Sequence, residues 1–176
     1  AVYVSTNDPA IKECALQYGA QVIDRPDALS NDDEPTITAL QHALTSLSTL
    51  AKNVVLLQPT NPLRPEHLLR EAFEIYEYDK KDSLFTVTRN YHKLGKINAD
   101  TFTPFNYTIG QRSQDLEPLY FENGLLYITK TTLLAAGTII SENAFPFIVD
   151  HPFASVDIDT KADFDYATYL LNTINP

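Results

Sequence analysis

Two carboxylates stand two positions apart near the end of the chain, in a pattern that suits a divalent cation. Asp157 and Asp159 flank Ile158 at the end of a strand predicted at residues 154–158. Alternation along a strand sends both carboxylates to one face and the isoleucine to the core. Neighbouring carboxylates repel unless one is protonated or a cation lies between them. Mg²⁺, which takes one or two carboxylates and completes its shell with phosphate and water oxygens, is the natural occupant.

A second interpretation of Asp159 needs no metal. Thr160 and Asp163 form a T-x-x-D variant of the capping box at the start of the last predicted helix. Asp159 would then only begin that cap, where acidic side chains are favourable in any case. The spacing alone gives the two interpretations equal weight.

Other polar side chains lie where predicted strands end or turn. Gln58 closes the apolar run of residues 53–58, and its amide can donate to and accept from a ligand; an ordinary turn is the simpler explanation. Asn123 and Gly124 form the dipeptide most typical of a hairpin turn, which is a sufficient structural reason for both. The pattern does not fix the direction of Tyr127.

Basic residues form one local group in an acidic chain. Arg89, Lys93, Lys96 and Arg112 lie in or beside residues 90–118. Such a group can hold a carboxylate or phosphates, with arginine supplying bidentate geometry. A solvated basic surface is the alternative, and it is the better one for Arg89. The histidines show no spacing typical of zinc ligands: His42, His67, His92 and His151.

The composition is that of a globular protein with an acidic surface. Its 176 residues suit one domain, and 44% apolar with 20% charged residues can form a core. The net charge of −10 has the wrong sign for a nucleic-acid partner. No apolar run approaches the roughly 18 residues of a membrane span, so no membrane partner is expected. The single cysteine, Cys14, fits a reducing cytoplasm, and its place on an apolar helical stripe predicts a core residue.

Alternating strands and helices predict the scaffold that positions these residues. A strand at residues 1–6, a helix capped by Asp8 and closed by Gly19, and a strand at residues 21–23 make a βαβ start. The unbroken apolar run 53–58 is typical of a central parallel strand covered on both faces. We expect an α/β fold, a three-layer α/β/α sandwich with a mostly parallel sheet, whose ligands bind beyond the carboxyl ends of the strands. Further helices are predicted at residues 36–50 and 131–137 and in segments that begin at residues 65 and 160. Further strands are predicted at residues 83–88, 120–128 and 145–149.

Residues 90–118 interrupt this alternation. They are polar, aromatic and without a sustained period, and they are too many for an ordinary loop in a compact domain. The segment predicts either a functional lid or an arm that packs on a second subunit.

Five segments taken together resemble the acylneuraminate cytidylyltransferases, the CMP-sialic acid synthetase family. They are VSTND, YGAQVIDRPDALS, LLQPTNPLR, QRSQDLEPLYFENGLLYI and SVDIDTKADF, and they run nearly from end to end of the chain. The resemblance implies one nucleotidyltransferase domain over residues 1–176, with a Rossmann-like α/β fold. It implies an enzyme that moves a cytidylyl group from CTP to a nine-carbon 2-keto sugar acid and releases pyrophosphate.

The resemblance also gives roles to the charged residues. Asp157 and Asp159 would hold Mg²⁺, so the resemblance favours the metal interpretation over the helix-cap interpretation. Asp159 would also act in catalysis. Arg112 and Lys93 would meet the carboxylate of the sugar or the reacting phosphate, with Lys96 as the alternative to Lys93.

Uncharged and nucleotide-binding positions follow from the same match. Gln58, Asn123 and Tyr127 would contact the sugar acid. Arg25 and Thr36 fall where the family places contacts to the cytidine. Residues 90–118 look like the family's dimerisation arm, so a homodimer is expected.

One family feature has no counterpart in the sequence. The family carries a phosphate loop, roughly R-x-G-S-K followed by K-N, and this chain has none and no methionine. We therefore expect residues before Ala1 that include this loop. The alternatives are an enzyme for legionaminic, pseudaminic or 3-deoxy-octulosonic acid, or a catalytically incompetent fragment that binds a sugar acid or dimerises. The octulosonate enzymes fit less well because they lack LLQPTNPLR.

Overall fold

Strands and helices alternate along most of the chain. A computed structural model describes residues 1–31, 33–47 and 51–174. Within them the elements are β1 (Tyr3–Thr6), α1 (Pro9–Gln17), β2 (Gln21–Asp24), α2 (Thr36–Ser46), β3 (Asn53–Leu56), α3 (Leu68–Asp79), β4 (Ser83–Asn90), β5 (Gly95–Asn98), β6 (Thr101–Pro104), β7 (Leu119–Lys130), α4 (Thr131–Ala135), β8 (Ala144–Ile148) and α5 (Lys161–Ile174). Short 3₁₀ helices span Asp27–Leu29, Ser113–Asp115 and Pro152–Ser155.

The main sheet has four strands in the order β3-β7-β4-β8. β4 and β8 pair in parallel, and β7 runs antiparallel to both of its neighbours, so three of the four strands share one direction. Its centre is largely apolar, because Leu84, Leu125, Leu126 and Ile128 are 0% exposed, and the polar Thr86 is buried among them. β1 and β2 form a separate parallel pair, and β5 and β6 an antiparallel hairpin. The predicted α/β class is confirmed.

The position predicted for residues 53–58 is wrong. Among the described residues β3 ends at Leu56, pairs only with the antiparallel β7 and lies at the edge of its sheet. Val55 is 40% exposed. An unbroken apolar run reports how much apolar surface a strand carries, whereas its neighbours and their direction depend on segments far away in sequence.

The hairpin predicted at Asn123 and Gly124 is also wrong. Both residues lie inside β7, where the pairing with β4 shifts between Phe85, opposite Tyr127, and Val87, opposite Glu122. Gly124 has φ +73. The dipeptide therefore supplies the left-handed conformation that a turn would need, but it is used in a β-bulge.

Helix α1 shows one confirmed and one failed prediction. The Asp8 carboxylate accepts hydrogen bonds from the backbone N–H groups of Ala10 and Ile11 at 2.8 and 2.9 Å, as an N-cap should. Cys14 is exposed, not a core residue. In the described chain α1 packs on the neighbouring strands through Ala15, which is 8% exposed.

The remaining differences concern the ends of elements. Helix α2 stops at Ser46, and residues 48–50 of the prediction lie outside the described residues. Residues 90–118 contain the β5–β6 hairpin. The strand predicted at residues 154–158 is a 3₁₀ helix followed by non-strand backbone. Within residues 1–31, 33–47 and 51–174, no helix combines the length and apolar character that crossing a bilayer demands.

Candidate functional site

A buried asparagine ties three segments together at the carboxyl end of the sheet. Asn61, only 2% exposed, donates through Nδ2 to the carbonyl of Asn123 at 3.2 Å and to that of Val156 at 2.8 Å. The backbone N–H of Ile158 donates to the Thr60 carbonyl at 2.8 Å. The loop after β3, the bulge of β7 and the segment that carries the two aspartates are thereby fixed to one another.

The side chain of Asn123 makes all of its hydrogen bonds within the bulge and the neighbouring strand β4. Its Oδ1 accepts from Thr86 Oγ1 at 2.5 Å and from the N–H of Leu125 at 3.1 Å, and its Nδ2 donates to Thr88 Oγ1 at 2.9 Å. Asn123 is 6% exposed. Although it lines the cleft described below, its polar groups are satisfied by the protein, so its visible role is to shape the site.

Gly124 leaves no room for a side chain. A Cβ placed there would lie 2.5 Å from Asn61 Oδ1 and 2.8 Å from Gln58 Oε1. Gln58 is held in turn from its backbone, because Arg64 donates to the Gln58 carbonyl at 2.9 Å and to the Leu125 carbonyl at 2.8 Å. Burial lowers the pKa of Arg64.

These contacts border a cleft of about 1040 Å³. It lies where the prediction places ligands, since its walls come from segments that follow the carboxyl ends of β3, β4 and β8 and from the first half of the antiparallel β7. The lining residues are Gln58, Thr60, Asn61, Asn90, His92, Leu94, Phe105, residues 119–124, Tyr127 and residues 154–157.

A smaller cavity of about 400 Å³ adjoins the cleft. Its lining includes Thr36 at the start of α2, together with Leu56 and Ile139. The two cavities share a wall made by Gln58, Glu122 and Tyr127, and we call these three residues the shared wall.

The shared wall contains a tight polar pair. Tyr127 is 7% exposed, and its hydroxyl donates to Glu122 Oε1 at 2.5 Å. The pKa of Tyr127 is raised, chiefly by burial, then by the hydrogen bond to Glu122, and further by the negative charges of Glu122 and Asp157. The phenol therefore stays protonated, and the cleft around it is acidic.

The carboxylates of Asp157 and Asp159 are exposed and free of polar partners among the described residues. Asp157 lines the cleft, and neither its carboxylate nor that of Asp159 has a hydrogen-bond or ion-pair partner in the described chain. The predicted capping box is confirmed, because Asp163 accepts from the N–H and hydroxyl of Thr160 at 2.8 and 2.7 Å. Only the backbone N–H of Asp159 takes part in that cap, at 3.2 Å. The cap interpretation therefore leaves the Asp159 side chain unexplained.

Two of the predicted catalytic residues lie outside the cleft. Arg112, whose side chain is 71% exposed, makes a bidentate pair with Asp115 at 2.7 and 2.9 Å. The Lys93 ammonium donates to the Gln111 carbonyl and lies 5.3 Å from the centre of the Tyr107 ring. In this structure both residues bond within their own segment.

Of the other predicted contact residues, some line a cavity and some do not. Thr36 and Gln58 meet in the smaller cavity, whereas Arg25 lies elsewhere and donates to Ser30 Oγ at 3.0 Å. The alternative Lys96 lies 5.9 Å from the centre of the Phe105 ring. Three residues of the site are not predicted from the sequence: Asn61 and Arg64, which lie in LLQPTNPLR, and Glu122, which lies in QRSQDLEPLYFENGLLYI.

Fold and site together define an α/β protein with two adjoining cavities at the carboxyl end of its sheet. Residues 1–172 match the sequence model of the family described as Cytidylyltransferase, and the chain belongs to this family.

Named relatives narrow the comparison. The chain is 30% identical over 177 residues to an N-acylneuraminate cytidylyltransferase of Streptococcus agalactiae, covering 93% of this chain and 40% of that protein. It thus spans about 40% of the length of such relatives. It is 29% identical to the CMP-N,N'-diacetyllegionaminic acid synthase of Legionella pneumophila, covering 97% of this chain and 77% of that protein.

The fold likeness extends to a solved structure of a CMP:2-keto-3-deoxy-manno-octonic acid synthetase complexed with CTP. Its TM-score is 0.67 at 14% identity, with 98% of this chain and 81% of that chain covered.

Proposed function

We propose that this chain is the cytidylyltransferase domain of an enzyme that transfers CMP from CTP to a sugar acid. The acceptor is the anomeric hydroxyl of a nine-carbon 2-keto sugar acid of the N-acylneuraminate type, and pyrophosphate is released. The observation that carries the proposal is the cleft, which gathers Gln58, Tyr127 and Asp157 at one sheet edge in a chain of this family. The relative from Streptococcus agalactiae supports the choice of acceptor.

The two cavities suggest how the substrates are arranged. The larger cleft suits the sugar acid, and the smaller cavity, which contains Thr36, suits part of the nucleotide. The reacting atoms would then meet at the shared wall. Holding two reactants in line is the main task of a protein that catalyses nucleotidyl transfer, because there is little covalent chemistry for its side chains to do.

Mg²⁺ on Asp157 and Asp159 belongs to the same proposal. The donor set fits, since both carboxylates are exposed and uncommitted among the described residues, and Mg²⁺ needs only one or two of them beside substrate phosphates. No group of three or more potential ligands of the His, Cys, Asp and Glu types gathers in the part of the chain that the structure describes. When bound, the ion offsets the negative charge of the triphosphate in an acidic cleft and favours ionisation of the attacking hydroxyl.

The proposal includes a cytoplasmic homodimer with residues 90–118 as the contact arm. The arm exposes large apolar side chains, with Ile97 74% and Ile109 86% exposed. Its Leu94 and Phe105 also line the cleft of their own chain. The single cysteine, Cys14, is consistent with a reducing compartment.

The decisive experiment measures CMP-sugar and pyrophosphate after the protein, together with any residues that flank this chain in its natural sequence, is incubated with CTP, Mg²⁺ and one acceptor at a time. N-acetylneuraminic, legionaminic, pseudaminic and 3-deoxy-octulosonic acid are compared. We expect the highest kcat/KM with the neuraminic acid. A higher value with legionaminic acid would correct the acceptor, and no product with any of the four would refute the proposed activity.

Asp159→Ala tests the metal ligands. Removing one ligand of a catalytic cation should lower kcat on the order of 10³-fold, and raising the Mg²⁺ concentration should recover part of the loss. Asp79→Asn, an exposed carboxylate at the end of α3, is the matched control and should keep wild-type activity. Wild-type turnover by Asp159→Ala would eliminate this residue as a ligand.

A further inference from the structure

The pairing of Glu122 with Tyr127 is produced by the bulge. The two residues are five positions apart on β7, and in a regular strand they would point to opposite faces about 16 Å apart. Here the Tyr127 hydroxyl reaches Glu122 Oε1 at 2.5 Å. The register shift at Asn123 and Gly124 lies between them and turns the Glu122 side chain back toward Tyr127.

The pair occupies the one wall that both described cavities share. Tyr127 is buried, whereas Glu122 is exposed toward solvent, and both line the larger and the smaller cavity. A ligand atom in either cavity that approaches this wall therefore meets the tyrosine oxygen or the free carboxylate oxygen.

The direction of the hydrogen bond decides what the wall offers. An ionised carboxylate can only accept, so the single hydroxyl hydrogen of Tyr127 is directed at Glu122. The lone pairs of the tyrosine oxygen are what remain for a ligand. Burial keeps the phenol protonated by raising the pKa of Tyr127, and Glu122 and Asp157 reinforce the effect.

We infer that Glu122 is a positioning residue that acts through Tyr127. By holding the phenol hydrogen, Glu122 makes the Tyr127 oxygen a hydrogen-bond acceptor, and the shared wall then selects an acceptor substrate that presents a hydroxyl or amide N–H there. This inference rests on the proposed function, because a polyhydroxy sugar acid is the substrate that carries such donors.

Glu122→Gln tests this role with little change in size. The neutral glutamine carbonyl accepts the phenol hydrogen more weakly than the carboxylate does. The glutamine amide can instead donate to the tyrosine oxygen, which turns the phenol hydrogen toward the hydrogen-bond donor of the substrate. We expect the KM for the sugar acid to rise about tenfold, as for the loss of one good hydrogen bond, while the KM for CTP stays within a factor of two. In a Tyr127→Phe background the same substitution should have no further effect.

A spectroscopic readout does not depend on turnover. In wild-type protein the Tyr127 hydroxyl proton, held by the Glu122 carboxylate, should give a proton NMR resonance downfield of that of a solvated tyrosine hydroxyl, and Glu122→Gln should move it upfield. Glu142→Gln, an exposed residue before β8, is the control and should keep both the resonance and the KM. Unfolding midpoints measured by circular dichroism confirm that every variant compared is folded.

The outcomes separate the two proposals. If wild-type protein transfers CMP but Glu122→Gln has the wild-type KM, or if its effect adds to that of Tyr127→Phe, the positioning role is wrong and the activity stands. If wild-type protein transfers CMP to no sugar acid, the proposed function fails, and direct binding of N-acetylneuraminic acid is measured by ligand-observed NMR. Weaker binding to Glu122→Gln than to wild type then supports the positioning role, and equal or absent binding overturns it.

Discussion

Single residues divide the cleft into a part that holds the protein together and a part that is free for a ligand. Asn61 and Asn123 line the cleft but direct their amide groups to backbone carbonyls, a backbone N–H group and threonine hydroxyls. Gln58, Glu122 and Asp157 also line the cleft, and the Asp157 carboxylate and the second Glu122 oxygen have no hydrogen-bond partner in the described chain. Under the proposed function, recognition of the substrate would depend on the second group, and the first group would set the distances between its members.

Gly124→Ala should be one of the most damaging single substitutions near the site. The new Cβ would overlap Asn61 Oδ1 and Gln58 Oε1, and Asn61 is buried in a bonded position that it cannot easily leave. The positive φ adds strain of about 1–2 kcal/mol, and we expect a total loss of about 3 kcal/mol of unfolding free energy.

Urea unfolding measures the free energy of unfolding of Gly124→Ala, and Gly19→Ala, measured in the same way, is the matched control. Gly19 has φ +78, yet a Cβ there meets no atom within 4 Å. It should therefore show the conformational strain alone. Equal losses in the two variants would mean that the close approach at Gly124 has no energetic weight.

Residues that line the cleft are easier to predict from sequence than the residues that hold them in place. Gln58, Tyr127 and Asp157 were predicted separately, and the structure brings them to one cleft. Asn61 and Arg64 escape prediction because, apart from the contact of Arg64 with Gln58, the carbonyls to which their side chains donate lie 61 or more positions away, and such contacts leave no periodic pattern. Glu122 was missed because its contact with Tyr127 exists only through the bulge.

At the scale of elements, local signals were reliable and pairing signals were not. The Asp8 cap of α1 and the box at the start of α5 depend on residues within four positions, and both were predicted. The place of β3 at a sheet edge and the bulge in β7 depend on strands far apart in sequence. An Asn-Gly pair indicates a positive φ, but only the neighbouring strand decides between a turn and a bulge.

The cap of α5 should make the free energy of unfolding depend on pH in the acidic range. Hydrogen bonds from the hydroxyl and N–H of Thr160 and from the N–H of Asp159 hold the pKa of Asp163 below its ordinary value. A depressed folded pKa contributes stability that is complete above the unfolded pKa and is lost as the pH falls through the folded pKa. Asp163→Asn keeps an acceptor without the charge, so it should be less stable than wild type at pH 7. The difference should shrink as the pH falls below about 4, the ordinary aspartate pKa, and should vanish only once the pH is below the lowered pKa of Asp163.

Thermal unfolding at several pH values measures this difference, with Asp100→Asn in the β5–β6 turn as the control. Asp100 is exposed and has no hydrogen-bond partner in the described chain. A gap between Asp163→Asn and wild type that stays constant from pH 7 to pH 3 would contradict the charged cap.

At the scale of the molecule, charge and shape point to a surface that one chain does not complete. The chain carries a net charge of −10, and Glu122 and Asp157 make the cleft acidic. Lys93, Lys96 and Arg112 lie on residues 90–118, among exposed apolar side chains. If the proposed anionic substrate binds in this cleft, it needs a cation, and the arm carries three basic side chains that are not part of the cleft lining of their own chain.

The homodimer predicts a linked loss of assembly and activity when the arm is altered. Ile97 and Ile109 are exposed and lie outside the cleft lining, so the double variant Ile97→Asp, Ile109→Asp should prevent apolar contact between subunits without changing the lining of the chain's own cleft. Light scattering should give twice the chain mass for wild type and one chain mass for the variant. Since the arm would cover the partner's site, kcat/KM for the sugar acid should fall at least tenfold, on the order expected when a substrate-covering contact is lost.

Tyr78→Asp, on α3 and 86% exposed, should leave mass and activity unchanged. A monomeric variant with full activity would show that the arm does not serve the partner's site, and a variant that stays dimeric would place the interface elsewhere.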